Sequence, residues 1–220
     1  MSKNTRPILF KDEMVRAILD GRKTQTRRVM KPQPEGGLDF TPFAPFGVVN
    51  GKGNPLICRH GQPSDRLWVR ETWCDVNLQG APGIAYRADE DIRDLMAEPS
   101  FHDEDGAFNY GDERVKPYHF AVWSEDLFSG AEGRWRPSIH MPRWASRITL
   151  EITDVRVERL QDISNEDAVA EGIGTPCDMR YATLDAFKPL WESINGPDSW
   201  RTNPWVWVIE FKRIPQEATQ

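Results

Sequence analysis

The chain has 220 residues, of which 39% are hydrophobic and nine are tryptophan, so it can bury a real core and wholesale disorder is excluded. Its formal net charge of −6 excludes nucleic-acid binding by bulk attraction, and the pattern of apolar residues predicts neither a membrane span nor a signal peptide. Three widely separated cysteines, Cys58, Cys74 and Cys177, predict a reducing, cytoplasmic environment instead of a disulfide framework.

Charge is segregated along the chain. Residues 1–34 hold nine Lys and Arg against three Asp and Glu, and residues 134–147 hold four Arg and no acid. Between them, residues 89–132 hold thirteen acids against three bases. This distribution favours a small basic site, able to hold one nucleotide or a short strand, over a long track for a polyanion.

The first half of the chain predicts one helix and one central strand. Phe10, Met14, Ala17 and Ile18 share one helical face, and Gly21 is the stop signal for that helix. Residues 31–64 are rich in Pro and Gly and predict a long loop or an insertion. A strand follows at residues 67–73, where apolar side chains point both ways, as in the centre of a sheet.

Residues 76–132 are predicted to be an acidic insertion, either a mobile flap or a surface excursion. Little periodicity is visible there beyond a short helix at residues 89–97. Its excess of acidic residues is a candidate surface for a protein partner, mainly over residues 89–132.

The second half predicts two strands and two helices. Residues 148–157 alternate as a half-buried strand with a bend near Asp154, and residues 206–214 form a closing strand. A short helix begins after Ser164 and ends at Gly172. Another begins near Thr183 and must accommodate Pro189 in an early turn or a kink. The predicted fold class is α+β, a mixed barrel with helices packed at one end, formed by a single domain over residues 1–220 with insertions at about 31–64 and 76–132.

A dense polar cluster follows Gly21. Within eight residues it offers the Lys23 amine, the hydroxyls of Thr24 and Thr26, and three guanidiniums that include Arg22 and Arg28. At a helix exit such a cluster can bind a small polar or anionic ligand, while the alternative is a solvated basic loop. Repulsion from neighbouring guanidiniums lowers the pKa of a lysine and makes it a better base.

Four motifs in chain order give the sequence a family resemblance. They are Gly21-Arg22-Lys23-Thr24-x-Thr26-x-Arg28, Asp65-x-Leu67-x-Val69, Ala168-x-x-Glu171 and Val208-Ile209-Glu210-Phe211-Lys212. Together they resemble the ASCH domain, a branch of the PUA-like barrels. The segments at residues 135–147 and 203–208 are similar to the longer members encoded by bacteriophages and prophages.

The resemblance implies a catalytic set and a substrate class. Some small ASCH proteins are amidohydrolases that remove the acetyl group of N4-acetylcytidine with a lysine, a threonine and a glutamate. By motif these roles fall on Lys23 as base, Thr26 as nucleophile or water-positioning group, and Glu171 as acid and base. Glu171 is also predicted at a helix C-terminus, where the dipole disfavours a negative charge.

The remaining candidates would bind substrate or nucleic acid. Arg22, Thr24 and Arg28 belong to the first cluster, and the guanidinium fork of Arg28 suits a base edge or a phosphate. A second cluster interleaves basic and aromatic residues, as stacking and phosphate-binding surfaces do: Arg136, His140, Arg143, Trp144 and Arg147. Equally open is the alternative that Trp135 and Trp144 are core and the arginines solvate a rim.

No metal and no cofactor are predicted. Cys58-x-His60 is a single pair, and the other histidines and cysteines do not supply a second pair at ligand spacing. No glycine-rich phosphate loop and no nucleophile elbow is found in the sequence.

Four functions therefore stay open. The first is hydrolysis of an acyl-amide on a modified nucleoside. The second is a non-catalytic reader of RNA or modified DNA, and the third is a ribonuclease. The fourth is a phage protein that binds a host factor through the acidic 89–132 segment in imitation of nucleic acid.

Overall fold

The computed structural model describes residues 4–173 and 184–215. Its strands are β1 (Thr5–Leu9), β2 (Gln25–Val29), β3 (Leu38–Phe40), β4 (Val48–Asn50), β5 (Arg66–Arg70), β6 (Trp73–Leu78), β7 (Ala81–Tyr86), β8 (Ile92–Asp94), β9 (Thr149–Arg159) and β10 (Trp205–Ile214). Its α-helices are α1 (Asp12–Leu19), α2 (Ser124–Ser129), α3 (Asn165–Ala170) and α4 (Leu184–Asn195). Several single turns of 3-10 helix connect them.

The strands form three sheets, so the predicted α+β class is confirmed. The largest sheet has five strands in the order β1-β5-β9-β10-β2, and β6-β7-β8 and β3-β4 form two smaller ones. Within the described ranges these sheets are open and none closes into a barrel. β5 lies between two strands, as its apolar character on both sides predicts.

The chain divides into two compact units. Among the described residues, the first comprises residues 4–6, 17–67, 150–173 and 184–214, and the second comprises residues 7–16, 68–149 and 215. Each unit has a buried apolar cluster of its own.

The core of the first unit is an apolar cluster on β10 and two helices. Val206 and Val208 are fully buried on one face of β10 and pack with Phe187 and Trp191 of α4 and with Ala168 of α3. Alternation along β10 therefore fixes which strand face receives the helices. α4 begins at Leu184, and Pro189 is its sixth residue. The predicted start at Thr183, like Cys177, lies outside the described residues.

Local capping signals end the helices where the sequence predicts. At the end of α1, the Gly21 N–H donates to Ile18 O at 3.1 Å and the Arg22 N–H donates to Ala17 O at 2.8 Å, with Gly21 at φ 73°. This is a Schellman motif, in which glycine adopts the left-handed conformation. At the start of α3, Ser164 and Asp167 form a capping box.

The segment 31–64 is more ordered than predicted. β3 and β4 form an antiparallel hairpin in which Phe40 pairs with Val48. The sequence, which predicts a long loop or an insertion here, does not predict these two strands, because strands of three residues are too short to show a period.

The acidic segment 76–132 is neither a flap nor a surface excursion. β6, β7 and β8 form a sheet, and aromatic residues pack into a buried cluster that includes Trp73, Tyr86 and Phe101. The predicted helix at 89–97 was wrong, since residues 92–94 are a strand and only residues 95–97 form a turn of 3-10 helix. The second unit is therefore built around a core that the sequence pattern did not predict.

β9 is a continuous strand of eleven residues. Its alternation of buried and exposed residues changes phase at Thr153 and Asp154, which are both exposed. The phase change falls where the sequence predicts a bend.

Candidate functional site

The backbone around Lys23 is fixed from three directions. Its N–H donates to Ala17 O at 2.9 Å, the same carbonyl that accepts from the Arg22 N–H at the end of α1. The next N–H, of Thr24, donates to Ala170 O at 2.8 Å, and Thr24 O accepts from the Phe211 N–H at 2.9 Å. An isolated antiparallel bridge joins Lys23 to Glu171. The turn after α1 is thereby tied to α3 and β10.

Gly172 permits this close approach. It has φ 84°, and a Cβ added there would lie 2.8 Å from the Ala17 Cβ and 2.9 Å from the Lys23 Cβ. Both distances are shorter than Cβ atoms tolerate, so only glycine fits between the end of α3 and the Lys23 turn. The glycine that ends α3 thus also sets the position of Glu171.

Lys23 and Glu171 form a buried ion pair although 148 residues separate them. The Lys23 Nζ lies 2.7 Å from Glu171 Oε2 and donates a second hydrogen bond to the Glu171 carbonyl at 2.9 Å. The Lys23 side chain has no exposed surface and that of Glu171 is 4% exposed. Two of the three predicted catalytic residues therefore meet.

Burial lowers the pKa of Lys23. Desolvation is the largest cause, the contact with Glu171 opposes it, and the charges of Arg28 and Arg27 add to the lowering. The sequence predicts the same direction but assigns it to the neighbouring guanidiniums, which are the smaller cause. A lysine with a lowered pKa exchanges its proton more readily near neutral pH.

Arg27 holds the second oxygen of the same carboxylate. Its Nη1 donates to Glu171 Oε1 at 3.3 Å, and its Nη2 donates to Glu158 at 2.9 Å and to Asp167 at 2.8 Å. The Arg27 side chain has no exposed surface. Sequence reasoning does not select Arg27, Glu158 or Asp167 as site residues, because their meeting depends on sheet pairing and not on local pattern.

Arg156 extends this network toward solvent. Its side chain is 31% exposed and contacts Glu158, Asp167 and Glu210, while its Nη2 also donates to the Gln25 amide oxygen at 3.1 Å. Guanidiniums and carboxylates therefore alternate from Glu171 to the surface of the first unit.

Thr26 and Arg28 lie on the other face of β2 from Gln25 and Arg27, since side chains alternate along a strand. Thr26 is 3% exposed, and its Cα pairs with Ile209 on β10. Burial lowers the pKa of Arg28 to about 10, with Glu171 opposing and Arg59 adding to the shift. The polar cluster after Gly21 is thus partly turn and partly strand.

The other members of the first cluster have structural contacts. The Arg22 guanidinium binds Asp20 at 2.9 Å and donates to the Gly172 carbonyl at 3.1 Å. Thr24 is exposed and takes part through its backbone.

His60 is a further polar group of the first unit that sequence reasoning considers only as half of a metal pair with Cys58. Its Nε2 lies 3.4 Å from the Arg59 Nε, and Arg6 donates to the Arg59 carbonyl at 3.1 Å. The pKa of His60 is lowered to about 4, mainly by burial and also by the charges of Arg28, Arg59 and Arg6. The imidazole is therefore neutral at neutral pH. Among the described residues no group of three potential ligands gathers to hold a metal.

The second predicted cluster lies in the second unit. Two of its five side chains form ion pairs there, and a third packs in an aromatic contact. Arg136 binds Asp75 at 2.7 Å, and Arg147 binds Glu71 at 2.9 Å. Trp144 packs edge-on against Trp73 in the core. Trp144 therefore packs against the core, whereas Arg136 and Arg147 are held by carboxylates.

His140 and Arg143 differ from the rest of the second cluster because both are exposed. The Arg143 guanidinium lies 5.7 Å from the centre of the Trp68 ring. This partner was not selected from the sequence, although Trp68 stands beside the Asp65-x-Leu67-x-Val69 motif.

A pocket of about 360 Å³ lies in the first unit. Its lining, within the described part of the chain, does not include Lys23, Thr26 or Glu171. The lining residues are Met30, Lys31, Pro32, Gln33, Pro34, Glu35, Asn50, Lys52, Leu56, Ile57 and Trp207.

The comparisons with known proteins add no relative. No protein-family model, no curated protein and no solved structure matches this chain. In residues 4–173 and 184–215 no helix is both long enough and apolar enough to cross a membrane.

Proposed function

We propose that the protein is an ASCH-type hydrolase that binds an acylated nucleoside similar to N4-acetylcytidine and cleaves its amide. The observation that carries the proposal is the buried contact of 2.7 Å between the Lys23 amine and the Glu171 carboxylate. Charged groups are rarely buried without need, and strongly perturbed lysines concentrate at functional sites.

The positions of the motif residues support the family part of this proposal. Lys23 and Arg28 lie next to or on β2, Asp65 precedes β5, and the segment 208–212 lies within β10. These three strands belong to the five-stranded sheet, and Glu171 reaches Lys23 from α3. We infer that this sheet is the wall of a PUA-like barrel with helices packed at one end.

The proposed reaction converts water and an amide into a carboxylic acid and an amine. The Lys23 amine takes the proton of the attacking O–H group, which is a water positioned by Thr26 or the Thr26 hydroxyl itself. The C–O bond forms, the C–N bond breaks, and the proton passes to the amino group of the leaving base. If Thr26 attacks, water then hydrolyses the ester. Glu171 exchanges the proton with Lys23 through their contact.

The electrostatics of the first unit supports a polar or anionic substrate. Desolvation lowers the pKa values of Arg28 and Lys23. Both cations lie close enough to Glu171 for its negative charge to oppose that lowering. In this proposal the Arg28 guanidinium binds a base edge or a phosphate, for which its fork of donors is suited.

Incubation of the pure protein with N4-acetylcytidine tests the proposal, with chromatography of the cytidine released. Lys23→Ala is expected to lower turnover by about 100-fold or more, as loss of a general base does. Lys52→Ala is the matched control, since this lysine is 70% exposed and binds the exposed Glu35 carboxylate. Thermal unfolding establishes that each variant is folded. Equal turnover in Lys23→Ala and Lys52→Ala contradicts the enzyme proposal.

A second candidate is a reader that binds a modified nucleoside without chemistry. It is favoured by the saturation of Glu171, because Lys23 and Arg27 occupy one oxygen each and neither cation is exposed. Binding measured by calorimetry that persists in Glu171→Gln, together with no product from the wild type, distinguishes the reader from the hydrolase.

A further inference from the structure

Two arginine guanidiniums lie beside the indole ring of Trp68. Trp68 lies on the half-buried face of β5, while Val69 on the other face is fully buried. The guanidinium carbon of Arg70 is 5.3 Å from the centre of the indole, and that of Arg143 is 5.7 Å from it. Both distances are within the range of cation–π contacts.

The positive charges of the two guanidiniums beside Trp68 are available to an external partner. Among the described residues, neither Arg70 nor Arg143 forms an ion pair with a carboxylate. Two backbone carbonyls orient the Arg70 side chain: its Nε donates to Met141 O at 3.1 Å, and its Nη2 donates to Ile139 O. Arg143 is exposed. The two arginines are thus held beside one ring without being neutralised.

The arginines on either side of residues 137–146 are, by contrast, paired with acids. Arg136 binds Asp75, and Arg147 binds Glu71. His140 is exposed, and Ile139 has 58% of its surface exposed. Arg70 and Arg143 thus lie beside the Trp68 ring, whereas Arg136 and Arg147 lie beside acids.

We propose that Trp68, Arg70, Arg143 and His140 form a contact surface for single-stranded nucleic acid. Unpaired bases stack on indole rings and guanidinium planes, and the outer N–H groups of a guanidinium bind phosphate oxygens in pairs. Paired bases in a duplex cannot present their faces to this surface. Because the whole protein carries a net charge of −6, such binding is local and does not arise from bulk attraction.

This inference is independent of the proposed hydrolysis. All four residues belong to the second unit, whereas Lys23, Thr26 and Glu171 belong to the first. The surface adds a polymer partner that an isolated nucleoside substrate does not require.

The test measures binding of a fluorescent oligouridine of about 12 nucleotides, a length that covers one aromatic contact surface. Arg143→Ala is expected to weaken binding about tenfold, which is the loss typical of one stacking and phosphate contact. Arg134→Ala is the matched control, because Arg134 is exposed, lies in the same unit and has the same charge, but does not contact an aromatic ring in the described part of the chain. Its effect is expected to be about twofold or less.

Two further readouts separate stacking from charge. Arg143→Lys retains the charge but loses the planar stack, so it is expected to recover only part of the affinity. Arg143→Ala is expected to reduce the slope of log affinity against log salt by about one, and Arg134→Ala to leave it unchanged. Equal losses in Arg143→Ala and Arg134→Ala overturn the proposal, as does equal or tighter binding of a duplex of the same length or of polyglutamate.

Discussion

Two buried glutamates, Glu171 in the first unit and Glu71 in the second, are held by cations of different kinds. Glu171 is 4% exposed and accepts from the Lys23 amine and, at its other oxygen, from Arg27. Glu71 is fully buried, and both of its oxygens accept from the single guanidinium of Arg147.

The surroundings of the two cations also differ. Arg147 binds Asp89 and Asp91 as well as Glu71, and its guanidinium lies 4.0 Å from the centre of the Tyr86 ring. Burial raises the pKa of Glu71, and Arg147 opposes that rise. Burial lowers the pKa of Lys23, as desolvation does for a cationic amine.

The difference teaches that burial alone does not identify a reactive site. A guanidinium stays protonated at all working pH values, so the Arg147 network holds charges in place and cannot transfer a proton. An amine beside a carboxylate can transfer one. We therefore expect stability to depend most on the second unit's network and chemistry to depend on the Lys23 pair.

The largest expected effect on stability is that of Arg147→Ala. It leaves the Glu71 carboxylate buried without a cation and brings Asp89 and Asp91 into mutual repulsion. Loss of one partner of a buried ion pair costs about 3–5 kcal/mol. Urea unfolding measures this loss, and adding Glu71→Gln is expected to recover part of it. Lys116→Ala, which breaks an exposed pair with Glu113, is the control and should change stability by about 0.5 kcal/mol or less. If the two single variants are equally stable, the contrast between buried and exposed pairs is wrong.

The next effect is the response of His60 to acid. The folded pKa of about 4 lies below the ordinary value of 6.5, so between these values the unfolded chain binds a proton that the folded chain does not. The free energy of unfolding therefore falls by about 2–3 kcal/mol as pH decreases through this window. In His60→Asn this part of the acid sensitivity should be absent from urea unfolding curves at pH 4 to 6.5. His140→Asn, at an exposed position, should retain it.

A smaller stability effect is expected at Lys23 itself. Lys23→Met leaves Glu171 bound to Arg27, so the cost is about 1–2 kcal/mol and less than that of Arg147→Ala. Its pH dependence carries a defined sign. Between the lowered folded pKa and 10.5 the unfolded chain retains the lysine proton, so wild-type stability rises with pH in that window. Methionine has no such proton, and the curve of the variant should lack this rise. A parallel pair of curves would mean that the Lys23 pKa is the same in both states.

Local signals explain how much of the fold the sequence predicts. The Schellman end of α1 at Gly21 and the capping box at Ser164 and Asp167 depend on residues within five positions of each other. The strands β9 and β10 alternate over ten or more residues, which is enough to show their period.

The sheet of the second unit was missed for a physical reason. β6 has four buried residues in a row and β7 has five, so neither alternates between polar and apolar. Pro82 and Gly83 within β7 are signals of a turn and not of a strand. Because acidic residues surround these strands, the composition of the segment did not indicate a buried aromatic core.

The candidate site was predictable only in part. The Lys23–Glu171 contact was selected through a resemblance, since no local rule brings together residues 148 positions apart. The acids around Arg27 and the arginines around His60 were not predictable, because each set is assembled by the pairing of distant strands. Trp144 lies in the core and Arg143 lies at the surface. Tertiary packing decides this, and the local pattern of basic and aromatic residues does not predict it.

The smallest expected effect sharpens the comparison within the first unit. Arg147 contacts three carboxylates, and Arg156 contacts four, those of Asp154, Glu158, Asp167 and Glu210. The Arg156 side chain is 31% exposed, whereas that of Arg147 is 11% exposed. Solvent screens such contacts, so Arg156→Gln is expected to cost only about 0.5–1 kcal/mol.

The salt dependence of this loss separates exposure from partner number. In Arg156→Gln the deficit measured by urea unfolding should shrink on going from low salt to about 1 M salt, where the screening length is about 3 Å. The deficit of Arg147→Ala should persist, because buried pairs are screened much less. If the Arg156→Gln deficit matches that of Arg147→Ala and ignores salt, then the number of carboxylates around an arginine, and not its burial, sets its contribution in this protein.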